Sequence, residues 1–420
     1  MNRIRQARRQ TFRSLETPNF RKYAFGQIIS ASGSWVQQIA LTWLVVRMTN
    51  GNGIAVGAVT ALQFTPVLIG GAWAGVLADR LDKRKVLLAT SLGAGVCAAI
   101  MGALVFSGVI QLWMVYVLAA TFGVATALDS PARRSFVTEL VPDEHASNAL
   151  ILNSSVFTSA RVIGPTIAAL LIATAGIGWC FMANALSFLA VIVALLTMDL
   201  GAIRPSEPVP RKKGQLVEGL RYVWATPTLR TILLLTAIIG TLSFNFQVTV
   251  SLMTRKVFGG EAGEFGALYA LMSVGAVMAS LFVAHRESFA ERFVSIAALG
   301  LGVTMLLAAV APNLAFFALF LLPMGATSIA FLSAAGALAQ TRASPEYRGR
   351  VAALFAVAFL GSTPIGGPII GAISQVFGPR FGIALGGVTA TVCALWALRS
   401  LRRGVNRPAD VAASPEAAPA

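Results

Sequence analysis

The sequence predicts an all-α integral membrane protein, with twelve transmembrane helices in two pseudo-symmetric six-helix bundles. Three observations predict it. Of 420 residues, 56% are hydrophobic and only 12% charged, whereas soluble domains carry about 25% charged residues. A soluble chain of this composition would lack the polar surface to cover its core. Apolar runs long enough to cross about 30 Å of hydrocarbon recur along most of the length. Finally, a shift of 203 residues aligns Val141-Pro142-Asp143-Glu144 with Ser344-Pro345-Glu346-Tyr347, and Gly164-Pro165 with Gly367-Pro368. Ser130 meets Ser333 and Thr138 meets Thr341 at the same offset, the mark of two parallel six-span repeats.

In chain order, residues 1–22 form a basic tail that precedes a bundle over 23–198, with spans at 25–47, 54–78, 86–107, 112–130, 148–173 and 178–198. The stretch 199–229 is a linker. Its Pro- and charge-rich part, Arg204 to Lys213, leads into an amphipathic helix over Gly214–Thr226. That helix carries Leu216, Leu220, Val223 and Trp224 on one face, and such a face suits the membrane surface. The second bundle, 230–400, has spans at 231–253, 264–284, 294–311, 314–335, 351–376 and 381–398. Residues 401–420 read as a low-complexity, disordered tail.

Charge placement sets the orientation. With the amino terminus in the cytoplasm, only Arg47, Arg255, Lys256 and Arg380 fall on the far side, and Arg161 lies within a span. Every other Lys and Arg is cytoplasmic, as the positive-inside rule requires, and both termini lie there. The net charge of +16 therefore belongs to loops and not to a nucleic-acid-binding stripe. The basic start superficially mimics a signal peptide, but the first span is too long, lacks an Ala-x-Ala exit and leads directly into further spans. Cys97, Cys180 and Cys393 all fall in spans, and His145 and His285 sit apart in loops, so no disulfide framework, metal site or cofactor is indicated.

The densest charge cluster, Gly75-Val-Leu-Ala-Asp79-Arg80-Leu-Asp82-Lys83-Arg84-Lys85, joins two long apolar runs. It resembles the loop between helices 2 and 3 of the major facilitator superfamily of secondary transporters, except that Asp82 stands where that family usually carries Gly. Other stretches narrow the resemblance to the enterobactin-exporter-like, transmembrane secretion effector branch. They include Phe20 to Gln27 with Trp35, Gln37 and Trp43, then Asp129-Ser-Pro131-Ala-Arg133, Arg161-Val-Ile-Gly164-Pro165 and Asn184-Ala-Leu-Ser187-Phe188. In the second half, Glu218-Gly219, Arg348-Gly-Arg350 and Leu360-Gly-Ser-Thr-Pro364 extend it over nearly the whole chain. The resemblance implies a major facilitator fold and a secondary exporter of siderophores, antibiotics or similar amphiphiles in the bacterial cytoplasmic membrane. It also implies that Asp79 faces the start of span 11, near Glu346–Arg350, as a cytoplasmic latch. Gly75, Arg80 and Arg84 complete that loop; the alternative is that these charges only set topology.

Gly164-Pro165 is similar to the span-5 antiporter motif of the superfamily, with Ala168 and Ala169 in place of its following glycines. Proline within a span removes a backbone hydrogen bond, so Gly164-Pro165 and Pro364 with Gly367-Pro368 are either bending points for alternating access or fixed kinks. Arg161 costs several kcal/mol inside a span unless paired or hydrated. It is a substrate-facing cation, a gate element, or an arginine bonded to helix carbonyls. Gln27, Ser34 and Gln38 share one face of span 1, and Asn153, Asn245, Gln247 and Phe359 are further cavity candidates. The same residue types serve as interhelical hydrogen-bond glue.

No carboxylate lies at mid-span, which leaves Asp79 and Asp129 as the candidate carriers for proton-coupled antiport. No Gly-x4-Gly-Lys-Ser/Thr loop or nucleophile elbow points to an enzyme. The expected partners are a small amphiphilic substrate, the lipid bilayer and protons, with no nucleic acid and a monomeric state. Arg161, without a mid-span acid, tilts the expected substrate toward anionic or neutral compounds. A lysophospholipid-moving protein and a non-transporting membrane sensor are the alternatives.

Overall fold

A computed structural model describes residues 12–204, 215–284 and 289–405. The basic start of the tail, the Pro-rich linker 205–214 and the tail from 406 lie outside the described residues, as do the side chains of Asp79 and Leu216. The first half comprises α1 (Pro18–Met48), α2 (Gly53–Arg80), α3 (Lys83–Ser107), α4 (Leu112–Glu139), α5 (Asp143–Thr174) and α6 (Ile177–Leu196). The linker helix is α7 (Gln215–Ala225). The second half comprises α8 (Pro227–Ser243), α9 (Phe246–Leu252), α10 (Ala262–Ala284), α11 (Glu291–Ala309), α12 (Leu314–Arg342), α13 (Arg348–Leu360), α14 (Ser362–Phe377) and α15 (Pro379–Val405). Among the described residues, eleven spans are long and apolar enough to cross a membrane, counting α8 with α9 and α13 with α14 as one each. The twelfth is α1, whose 31 residues bury polar side chains such as Gln27, Ser30 and Gln37 and so dilute its hydropathy. Together these make an all-helical multi-pass membrane protein, and large side chains such as Ile69, Trp73 and Leu170 stand exposed on its flanks.

Helix ends follow local chemistry. Asn52 caps α2 by accepting from the Ala55 N–H at 3.2 Å. Asp82 caps α3 by accepting from the Arg84 and Lys85 N–H groups at 3.0 and 3.2 Å. That cap is a structural use for the residue at which the loop departs from the pattern it resembles. Gly108, at φ +71°, closes the other end of α3 in a left-handed conformation open to glycine.

Several helices outrun the expected spans. α4 continues through Pro131 to Glu139, so Arg133 and Arg134 are helical and not in a loop. α1 begins at Pro18, within the expected tail, and α15 runs to Val405, past the expected boundary at 401. Hydropathy registers only the part of a helix inside hydrocarbon, whereas backbone hydrogen bonding carries the helix on into water. Span 7 is interrupted at Phe244–Asn245, where the Asn245 side chain donates to the Thr241 carbonyl at 2.7 Å and satisfies a group freed by the break. Span 11 is interrupted at Gly361, because Pro364 has no N–H for the Leu360 carbonyl. α5 stays helical through Gly164-Pro165.

The halves meet along two pairs of helices, α2 against α14 and α5 against α10. Both contacts are tightest at the mouth bearing the connections 49–52 and 258–261. A Cβ at Gly57 would stand 2.5 Å from the Gly367 carbonyl oxygen and 2.9 Å from Pro368 Cα. Gly53 and Gly371 oppose each other in the same way one turn further out. Two Gly-x3-Gly stripes thus allow backbone-to-backbone packing between the halves. On the other pair, a Cβ at Gly266 would stand 2.8 Å from Ala169 Cβ. Trp43 of α1 stacks on Phe265 of α10 at 5.5 Å, closing the seam between them.

Candidate substrate pathway

Below the seam lies a central pocket of about 160 Å³, with Ser34, Trp35 and Gln38 of α1, Gln63 and Phe64 of α2 and Gln247 of α9 in its wall. Three glutamines join across the halves. The Gln38 amide donates to Gln63 Oε1 and to Gln247 Oε1, both at 2.9 Å, and Gln63 donates back to Gln38 at 2.6 Å. Gln38 and Gln247 were legible in the sequence as cavity candidates. Gln63, which exchanges hydrogen bonds with Gln38, was not, although a glutamine within an apolar run is a recognisable signal. Phe359 packs edge-on against Phe244 at 5.3 Å, and Phe331 and Phe246 complete that aromatic group in the second half. Asn245 sits at the helix break beside it, with Oδ1 lacking a hydrogen-bond partner.

Toward the mouth bearing the basic loops, α5 and α10 diverge and enclose a groove of about 520 Å³. Its wall carries hydroxyls of Ser147, Ser154, Ser155 and Thr158 on α5 and Ser280 on α10, between Leu150, Ile151 and Leu281. Asn153 lies on α5 beside this wall, half-buried.

Arg161 follows one turn beyond Thr158. Its guanidinium lies 5.3 Å from the Trp35 ring, a cation–π distance. Tyr269 of α10 is close enough to interact with its charge, and its Nε is buried without a hydrogen-bond partner. Gly164 makes this arrangement possible, since a Cβ there would meet the Ser32 carbonyl at 2.9 Å and run into Trp35. Gly164 therefore serves the packing of α5 on α1 within the first half, whereas Gly367 packs across the halves against Gly57 and Thr60 at 3.3 Å. The two aligned Gly-Pro pairs occupy equivalent positions but touch different partners.

The candidate proton carrier Asp129 is engaged elsewhere. It accepts from Arg133 at 2.6 Å and from Thr90 at 3.1 Å. Arg133 also donates to Gln27, which places that glutamine in an ion-pair network and outside the pocket wall. The side chains of the pair are 12% and 15% exposed. The i,i+4 spacing of Asp129 and Arg133 was the sequence signal for it.

Of the loop residues, Arg84 donates to the Leu195 carbonyl at 2.7 Å, Lys83 pairs with Glu139, Gly75 is buried and Arg80 is exposed. Glu346 is exposed, while Arg350 pairs with Glu218 of α7 at 3.1 Å. Tyr347 donates to Glu218 at 3.0 Å and stacks on Tyr222 at 4.2 Å. The hydrogen bond to Glu218 raises the Tyr347 pKa above its ordinary value. The linker helix is thereby docked on the start of α13, with Val223 buried and Leu220 and Trp224 exposed. Among the described residues, no group of His, Cys, Asp and Glu could hold a metal ion.

Two helical halves, packed at one mouth around a shared polar pocket, define a major facilitator transporter. The chain belongs to the transmembrane secretion effector family, which it matches over residues 9–416. It is 25% identical to an enterobactin exporter of Shigella flexneri, covering 94% of this chain and 96% of that protein. It is 25% identical to a multidrug efflux pump of Mycolicibacterium fortuitum, covering 84% and 88%. Similarity to a staphyloferrin A transporter of Staphylococcus aureus, at 26% identity, spans 59% of this chain and 62% of that protein. The fold is shared with a bacterial homologue of the human lysosomal transporter Spinster, with a TM-score of 0.71 at 14% identity, covering 93% and 99%. A D-xylose–proton symporter also shares it, with a TM-score of 0.67 at 14% identity, covering 89% and 97%. The relatives are transporters and not enzymes.

Proposed function

We propose that this protein is a secondary active exporter, moving a small amphiphilic compound out of a bacterial cell by alternating access. The observation that carries the reading is the asymmetry of the two mouths: glycine stripes pack the halves together at one, and a groove opens between them at the other. With the basic loops in the cytoplasm, this is the inward-open state, in which an exporter loads its substrate. Gln38, Gln247, Ser34, Arg161 and Phe359 then line or flank the route, and Asn153 and Asn245 border it. Protons drive the cycle in antiport, with Asp129 and Asp79 as the carriers, Asp129 taking up its proton as it releases Arg133. In the outward-open state Asp79 meets the positive end of α13 near Glu346. Arg80, Arg84 and Arg350 hold the surrounding loops, with Gly75 giving room for the approach. Flexing at Pro165, Pro364 and Pro368 accommodates the change. The protein acts as a monomer in the cytoplasmic membrane, with both termini inside.

Metabolite profiling of deletion and overexpressing cells, followed by uptake of the identified compound into inside-out vesicles, tests this reading. Retention of the compound in deletion cells, with vesicle uptake that requires a proton gradient, is expected. A compound that enters intact cells faster when the protein is present, with no vesicle uptake, refutes export. One observation favours a second reading. The groove between α5 and α10 carries exposed Leu150, Ile151 and Leu281, a surface that suits a lysolipid entering from the bilayer.

A further inference from the structure

The groove and Arg161 belong to one stripe. Ser147, Ile151, Ser154, Thr158 and Arg161 succeed one another at intervals of four and three residues, so they line a single face of α5. The groove runs inward along that face to Thr158, and Arg161 follows one turn further on the same face, its guanidinium over the Trp35 ring. Trp35 is also in the wall of the central pocket, so Arg161 stands between the two cavities.

Four hydroxyls of the groove share one polarity. Ser154 donates to the Leu150 carbonyl at 2.9 Å, Ser155 to Ile151 at 3.0 Å, Thr158 to Ser154 at 3.0 Å, and Ser280 across the groove to Val277 at 2.8 Å. In this arrangement each of these four hydroxyls directs its hydrogen to its own helix and presents lone pairs to the groove. The wall is thus a row of acceptors, and at its inner end is a cation with a buried, unpartnered Nε. A ligand that satisfies both must carry an anionic group at its leading end and N–H or O–H donors along its body. Leu150, Ile151 and Leu281 take up its apolar part.

We propose that this stripe is the loading site, and that it selects acidic amphiphiles bearing amide or hydroxyl donors, with the acid on Arg161. The inference rests on the export reading and names its substrate class. A plain acyl chain wastes the acceptors, and a lipophilic cation is repelled by the guanidinium.

The test uses the full-length protein in nanodiscs of phosphatidylcholine and titration calorimetry with three probes: N-octanoylserine, its methyl ester, and octanoate. N-octanoylserine is expected to bind about tenfold or more tighter than its ester, the effect of one charge-assisted hydrogen bond. Arg161→Gln should bring that ratio to one, and Arg161→Lys should restore part of it. Octanoate should bind more weakly than N-octanoylserine, with the gap narrowed by Thr158→Val. Equal binding of acid and ester to the wild-type protein, or binding of neither, overturns the proposal without recourse to any variant. Persistence of the ratio in Arg161→Gln overturns it as well. Lysophosphatidate is added as a competitor. If it displaces N-octanoylserine in an Arg161-dependent manner that Thr158→Val does not alter, the site holds a lipid headgroup and the donor-bearing ligand is wrong. Vesicle transport is read separately. Gradient-driven export without acid preference ends this inference alone, and acid preference without transport ends the export reading alone.

Discussion

Replacing Gly57 by leucine should drive the closed mouth open. At this position even a Cβ stands 2.5 Å from the Gly367 carbonyl oxygen, 2.9 Å from the Gly367 carbonyl carbon and 2.9 Å from Pro368 Cα. All three are backbone atoms of α14 and cannot rotate away, so α2 and α14 must separate. Overpacking of this kind costs about 1–3 kcal/mol. The cost falls only on the conformation in which the stripes touch. At about 1.4 kcal/mol per tenfold change, the ratio of closed to open at this mouth should fall by about 5- to 150-fold. The readout is a cysteine at Thr60, which is 4% exposed beneath the seam, in a background without Cys97, Cys180 and Cys393. Its labelling by an impermeant thiol reagent from outside the cell should quicken at least about fivefold in Gly57→Leu. Gly57→Ala should lie in between. Unchanged labelling in a variant that elutes and unfolds like the wild-type protein would show that the glycine seam is not the gate.

Further expectations follow from the charged and polar groups. A cysteine at Lys83 should label only from the cytoplasmic side, and labelling in intact cells by an impermeant reagent would reverse the assigned orientation. Arg133→Leu leaves the Asp129 carboxylate without its partner and should lower thermal stability in detergent by about 3 kcal/mol, with Asp129→Leu in the same chain recovering part of the loss. If the single and double variants melt alike, the pair is not coupled. Gln247→Leu removes the hydrogen bond that joins Gln38 to the second half, and should weaken vesicle transport while leaving the melting transition nearly unchanged. Arg161→Ala should likewise impair transport more than folding, with Arg161→Lys an incomplete rescue because an ammonium lacks the guanidinium fork.

The fold was legible because hydrocarbon imposes its own period and length. The duplication placed Pro165 and Pro368 in equivalent helices, and each apolar run became a span. The helix ends were less legible, as α4 shows: Arg133 looked like a loop residue, yet its spacing from Asp129 is that of partners on one helix face. Partner choice between helices was least legible. Gly164 and Gly367 carry the same motif, but one packs on Trp35 within its own half and the other on Gly57 in the opposite half. Only the three-dimensional arrangement separates them. The Gly53–Gly57 and Gly367–Gly371 stripes were written in the sequence as small residues four apart, a signal of close packing that does not name its partner. The break at Asn245 has no proline to announce it. Its sign was a cluster of Ser243, Asn245 and Gln247 in an otherwise apolar span, which reads equally well as cavity lining.

Alternating access is tested most directly by two spin-label distances measured on the same protein in nanodiscs. One pair, Asn50 and Val376, spans the mouth sealed by the glycine stripes, and the other, Leu81 and Glu346, spans the mouth bearing the basic loops. Comparing wild type with Gly57→Leu requires no knowledge of the substrate. The two-mouth mechanism predicts opposite changes: Asn50–Val376 lengthens in the variant while Leu81–Glu346 shortens, as the halves rock about the central pocket. Lengthening of the first distance with no change in the second would mean that the mouths move independently, and would contradict the mechanism.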